Sequence, residues 1–259
     1  MTQLSDNLFS FHDTCNAYLL KDGTKAVLID FGDGEVLRHL EALGVARLRS
    51  VLMTHHHRDQ GQGLHRALQA GGGVWVPYAE QDLFYRVDAH WGARELYNSY
   101  NNRQDRFSLL EPVALEGTLK DYGRYSFGSY TVEVVPTPGH TPGSVTLLSE
   151  VDGMRVAFTG DLIAASGKLW SLAATQWTYN GAEGAAASIA SLLALKDRKP
   201  DLLLPSHGAP ITDPAAAINL LVERLWDLLQ ARGENRELLD WRSNPFERLT
   251  PHLLWNRTS

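Results

Sequence analysis

The sequence predicts an α/β fold, a four-layer αββα sandwich of two mixed β-sheets with helices on the outer faces. Three observations predict it. The first half alternates short β-rich runs with helix-like patterns, the stretch from Pro112 to Phe158 turns almost wholly to β, and two long helical patterns with one short strand between them follow.

In chain order, Ala17 to Leu20 and Lys25 to Asp30 flank the turn signal Lys21-Asp22-Gly23 and read as paired strands. Gly34 to Leu43 sets Val36, Leu37, Leu40 and Leu43 on one helical face, with Gly44 at the stop position. Ser50 to Thr54 is a buried strand, a glycine-rich turn leads into a helix near Leu64, and Gly73 to Pro77 is a further strand. Ala79 to Leu110, rich in aromatics and arginine, is helical in part. Tyr130 to Val135, Ser144 to Leu148 and Met154 to Phe158 form the second sheet, with Asp152-Gly153 as one of its turns. Ala182 to Leu195 is a helix, Asp201 to Leu204 a strand, and Pro214 to Ala231 a helix with Ile218, Leu221, Leu225 and Leu228 on one stripe. No linker or repeat divides the chain, so residues 1–259 are expected to form a single domain. The apolar tail, about 233–259, either packs back on the core or marks the chain as a piece of something longer.

Composition narrows the function. A net charge of -6 without basic runs argues against nucleic acid as a partner. The chain opens without a basic and apolar leader and has no bilayer-length apolar stretch, so a cytoplasmic protein with no membrane partner is expected. Cys15 is the only cysteine, which excludes an internal disulfide framework and cysteine-cluster metal chemistry and suits a small core residue.

The informative stretch is Thr54-His55-His56-His57-Arg58-Asp59-Gln60-Gly61, directly after a buried strand. Alternate side chains of an extended chain face one way, so His55, His57 and Asp59 can converge while His56 and Arg58 point elsewhere. Imidazoles and a carboxylate suit Zn²⁺ at roughly 2.0–2.2 Å. By itself this stretch also suits a solvated loop. Three further polar residues follow apolar strands beside glycine or proline: His140 in Pro138-Gly139-His140-Thr141-Pro142-Gly143, Asp161 in Thr159-Gly160-Asp161, and His207 in Pro205-Ser206-His207-Gly208.

These four segments, in this order from about Asn16 to Ile211, resemble the metallo-β-lactamase fold family, which includes glyoxalase II-like thioesterases, lactonases and β-lactamases. The resemblance implies that His55, His57 and His140 hold a first metal, that Asp59 and His207 hold a second, and that Asp161 bridges the two. It likens Asp30, at the end of its strand, to a buried acid that steadies a ligand histidine. The family's dinuclear hydrolases usually have histidine where this chain has Gln60, which predicts a weakened second site and one or two zinc ions. Activated water attacking an ester, thioester, lactone or amide-type bond of a small-molecule substrate is the expected chemistry, with Asp59 orienting the water.

Trp91, Tyr97 and Tyr100, or Trp170, Trp177 and Tyr179, could line a partly apolar mouth, and Arg94, Arg103 and Arg106 suit solvated surface better than a carboxylate site. Two other readings compete: an iron-dependent oxygenase like the family's persulfide dioxygenases, and a non-catalytic relative whose metal site has begun to decay at Gln60. Only 45 residues (162–206) separate Asp161 from His207, leaving no room for the insertion of the nuclease branches. Oligomeric state is not legible.

Overall fold

The structure, a computed structural model, describes residues 1–93, 107–170 and 183–231. Seven strands, β1 (Thr2–Gln3), β2 (Leu8–His12), β3 (Asn16–Asp22), β4 (Lys25–Ile29), β5 (Arg47–Leu52), β6 (Gly73–Pro77) and β7 (Gly117–Leu119), pair in sequence order as the first sheet. Pairing is antiparallel up to β4 and parallel from β4 to β7. The second sheet runs β12 (Leu202–Pro205), β11 (Met154–Gly160), β10 (Val145–Val151), β9 (Tyr130–Pro136) and β8 (Arg124–Phe127). Only its β11–β12 pair is parallel. Helices α1 (Arg58–Gly61), α2 (Leu64–Gln69), α3 (Asp82–Tyr85) and α4 (Val87–Gly92) fall between strands of the first sheet, and α5 (Glu183–Asp197) and α6 (Pro214–Ala231) belong to the second half.

The period-2 alternation of the strands builds the layers. Tyr18, Leu20, Val27, Ile29 and Leu52 turn inward and meet Val132, Val134, Leu147, Val156 and Phe158 of the other sheet. Their neighbours Leu19, Leu28 and Val51 turn outward onto Leu64 and Phe84. On the opposite outer face Val135, Leu148 and Ala157 pack against Ile189, Leu192, Ile218 and Leu221. Both sheets are therefore buried on two sides, and each buried aliphatic side chain contributes ~1.5–3 kcal/mol to holding the layers together.

Two elements differ from expectation. Gly34 to Leu43 is not one α-helix but two 3₁₀ turns, Glu35–His39 and Glu41–Leu43, because the short segment between left-handed Gly34 and Gly44 closes i to i+3 bonds such as Leu40 N–H to Leu37 O. In α6 the buried stripe continues to Leu229, with Leu228 only partly buried. Among the described residues no helix is long and apolar enough to cross a membrane. The tail expected to pack back or to continue lies outside the described residues.

Candidate metal centre

Four strands end at one edge of the sandwich, and each delivers a candidate ligand just past its last residue. Beyond β5 come Thr54, His55 and His57, beyond β9 comes His140, beyond β11 Asp161, and beyond β12 His207. Backbone and side-chain bonds stitch the two sheets along this edge. Val145 N–H donates to Thr54 O (3.0 Å), Asn16 N–H to Ser206 O (2.7 Å), and Tyr18 Oη–H to Pro205 O (2.7 Å).

All six residues named from the sequence meet here in two overlapping groups. Donor atoms of His55, His57, His140 and Asp161 lie within 4.8 Å of one another, as do those of Asp59, Asp161 and His207, so Asp161 belongs to both. His140 Nε2 is 2.8 Å from His57 Nδ1 and 3.1 Å from Asp161 Oδ2, while His55 Nε2 is 3.7 Å from the same oxygen. His207 Nε2 lies 2.9 Å from Asp59 Oδ2 and 3.9 Å from Asp161 Oδ1. At His57 the backbone is still extended (φ -65°, ψ 148°), and its ring lies 4.7 Å from that of His55. Asp59 arrives differently, on the first turn of α1, whose N-cap is His57. His56 and Arg58 do point elsewhere, His56 to Glu80 and Arg58 to the carbonyl of Ser108.

The donors suit a cation on more than proximity. His55 Nε2 and Asp161 Oδ1 are fully buried and make no hydrogen bond. Leaving a buried polar atom unpaired costs ~1–3 kcal/mol, which a cation between them would remove. Burial, then the neighbouring His140, holds the His55 imidazole down to about 4, neutral and ready to coordinate near pH 7. Burial alone would raise the Asp161 carboxyl, but His140, His55 and His207 outweigh it and keep it well below the usual carboxylate range.

Asp30 supports this edge without touching a candidate ligand. It accepts bonds from Thr54 N–H (2.9 Å), Thr54 Oγ1 (2.8 Å) and Ser206 Oγ (3.1 Å), joining the residues that precede His55 and His207. Thr54 Oγ1 in turn lies 3.0 Å from His55 Nδ1, so Asp30 reaches that ring through Thr54. Burial pushes its carboxyl up to about 7.

Two exposed aromatics border the centre. The Trp170 ring stacks on His207 at 4.7 Å and 21°, and is 62% exposed. Phe107, 44% exposed, meets the His57 ring edge-on at 5.7 Å. Trp170 was among the residues singled out above, whereas Phe107 carries no sequence signal and was missed. Trp91 packs into the first outer core and donates to Leu109 O (2.8 Å), which removes it from the mouth. Tyr97, Tyr100, Trp177, Tyr179, Arg94, Arg103 and Arg106 lie outside the described residues. Sequence reading also missed Glu80, a lone carboxylate after β6 whose partners are far along the chain.

Comparison with known proteins agrees with this geometry. The pattern described as metallo-beta-lactamase superfamily matches residues 12–207. The chain is 27% identical over 258 residues to the beta-lactamase-like protein 2 homolog of Drosophila melanogaster, covering 93% of this chain and 76% of that one. It is 25% identical over 231 residues to the hydroxyacylglutathione hydrolase of Roseobacter denitrificans, covering 82% of this chain and 76% of that one. A solved metallo-beta-lactamase of Cronobacter sakazakii, described by a HARLDQ motif, superimposes with a TM-score of 0.64 at 18% identity, covering 89% of this chain and 96% of that one. Fold, edge geometry and the match over most of its length together make this chain a member of the metallo-beta-lactamase superfamily.

Proposed function

We propose that the chain is a metal-dependent hydrolase that cleaves an ester, thioester, lactone or amide-type bond in a partly apolar small molecule. The observation that carries this is the pair of donor groups sharing Asp161 at an edge open to solvent beside Asp59, whose side chain is 40% exposed. Relatives named as hydroxyacylglutathione hydrolase and metallo-beta-lactamase support hydrolysis as the reaction class.

In this reading His55, His57 and His140 would hold one ion, Asp59 and His207 would hold a second, and Asp161 would serve both. A divalent ion such as zinc, when bound, polarises the scissile carbonyl and lowers the pKa of water towards ~7. The chain's own groups do the rest. Asp59 Oδ2 faces His207 Nε2 at 2.9 Å and accepts from Gln60 Nε2 at 3.2 Å, which fixes the carboxylate so that it can orient the attacking water and take its proton. Trp170 and Phe107 offer apolar faces on either flank, beside His207 and His57, for the substrate's acyl or leaving group. Gln60 weakens the second site, since an amide oxygen is a poorer zinc donor than imidazole. A metallo-beta-lactamase named for a HARLDQ motif also has Asp followed by Gln, as this chain does at Asp59-Gln60.

The test is hydrolysis of a thioester, a lactone and a chromogenic β-lactam by zinc-loaded protein, beside the Asp59→Ala variant. We expect zinc-stimulated turnover of at least one bond type and a fall of ~10²–10⁴-fold in the variant with its fold retained, the range for losing a positioned proton acceptor. No turnover of any by protein shown to hold zinc would refute the hydrolase, and full activity in the variant would refute the role of Asp59.

A further inference from the structure

We propose that Glu80 is a positioning residue for the first metal, one carboxylate that clamps together the two loops bearing His55, His57 and His140. This rests on the reading that those histidines hold an ion. Glu80 follows β6 in a single 3₁₀ turn, Tyr78–Glu80, and is 3% exposed. Its two oxygens divide between the loops. Oε2 lies 3.0 Å from Nδ1 of His56, the residue between the two ligand histidines. Oε1 accepts from Thr141 Oγ1 at 2.5 Å and Gly143 N–H at 3.0 Å, on the loop that carries His140.

The contact is built for close approach. A Cβ at Gly143 would stand 2.4 Å from Glu80 Cγ, so only glycine lets that backbone reach the carboxylate. Ser144 Oγ, 2.6 Å from Thr141 Oγ1, extends the network along the same loop. Burial acts to raise the Glu80 carboxyl, but the charge of His56, 3.0 Å away, and the hydrogen bond from Thr141 act against it and bring it to about 2, leaving the group ionised at neutral pH. An ionised carboxylate buried this deeply is retained only where its partners match it, and here the partners sit beside His55, His57 and His140 in sequence. His140 Nε2 and His57 Nδ1 lie 2.8 Å apart, so a small separation of the two loops changes the distance between two donors of one ion. Groups that orient ligands in this indirect way typically affect metal affinity by ~10–100-fold.

The experiment measures zinc affinity by competition with a chromophoric chelator, and the visible spectrum of the cobalt-substituted protein, for wild type, Glu80→Gln and Thr141→Val. Glu80→Gln keeps the shape and removes the charge. Thr141→Val removes one hydroxyl and serves if the first variant does not fold. Glu133→Gln is the control for general destabilisation, because Glu133 is also buried but pairs with Arg124, Arg155 and Arg198. We expect zinc bound ~10–100-fold more weakly by Glu80→Gln, a smaller loss in Thr141→Val, altered cobalt bands in both, and no change in Glu133→Gln. Wild-type affinity and an unchanged cobalt spectrum in a folded Glu80→Gln or Thr141→Val protein would overturn the clamp, as would an equal loss in Glu133→Gln. Failure of the wild type itself to bind zinc or cobalt would instead overturn the metal reading beneath it.

Discussion

In the two-ion reading proposed above, metal stoichiometry turns on Gln60. Its side chain is buried, its Nε2 donates to Asp59 Oδ2, and its Oε1 has no hydrogen-bond partner. An amide in this place both holds Asp59 and offers one weak donor oxygen where an imidazole would bind strongly. We expect about one zinc per chain after dialysis, a second only at raised zinc, and tighter binding of the second ion in Gln60→His; elemental analysis across a free-zinc series checks all three. Two equally tight ions in the wild type would refute it. The six candidate ligands and Gln60 were legible in the sequence because they fall in short segments that follow apolar runs and contain glycine, proline or histidine: Thr54 to Gly61, Pro138 to Gly143, Thr159 to Asp161 and Pro205 to Gly208. Glu80 was not, because Thr141 and Gly143 lie 61 and 63 residues away from it and leave no local pattern. Phe107 gains its meaning only from the His57 ring it meets.

At the level of elements, the same division between local and long-range signals recurs. Strands β3 to β6 and β9 to β11 were legible since their alternating or continuous apolar runs are long enough to show a period. Strand β7 is three residues, and its place in the first sheet is set by pairing Trp75 with Gly117, 42 positions apart along the chain. The turn joining α1 to α2 was expected from Gly61 and Gly63, yet the reason at Gly63 is steric. A Cβ there would stand 2.3 Å from the carbonyl carbon of Asp33, where the Gly63 N–H also bonds Gly32 O at 2.9 Å. Alanine must push α1 away from the end of β4, and Asp59 rides on α1. We expect Gly63→Ala to cost ~1–3 kcal/mol of stability by overpacking and to lower turnover further than stability alone explains, read from denaturant unfolding beside activity on the same sample. Unchanged unfolding and activity would show that the loop gives way freely.

For the whole molecule, the candidate ligands divide between the sheets. His55, His57 and Asp59 follow β5 of the first, whereas His140, Asp161 and His207 follow strands of the second. An ion held by both sets ties the two sheets at one edge, adding to the Asp30 bonds that link Thr54 to Ser206. Binding confined to the folded state stabilises by RT ln(1 + [L]/Kd), about 2.7 kcal/mol when free metal is 100-fold above Kd. At ~2–4 °C per kcal/mol for a chain near this size, chelation is expected to lower the thermal midpoint by ~5–10 °C, and zinc to restore it. Asp161→Asn weakens a ligand common to both sites and should shrink that zinc-dependent shift more than Asp59→Asn, since Asp59 serves only the second group. Calorimetry of the three proteins with chelator and with zinc decides it. A midpoint indifferent to metal in the wild type would mean that the ion, if bound, does not join the two sheets, and an equal response in both variants would remove Asp161 from its shared position.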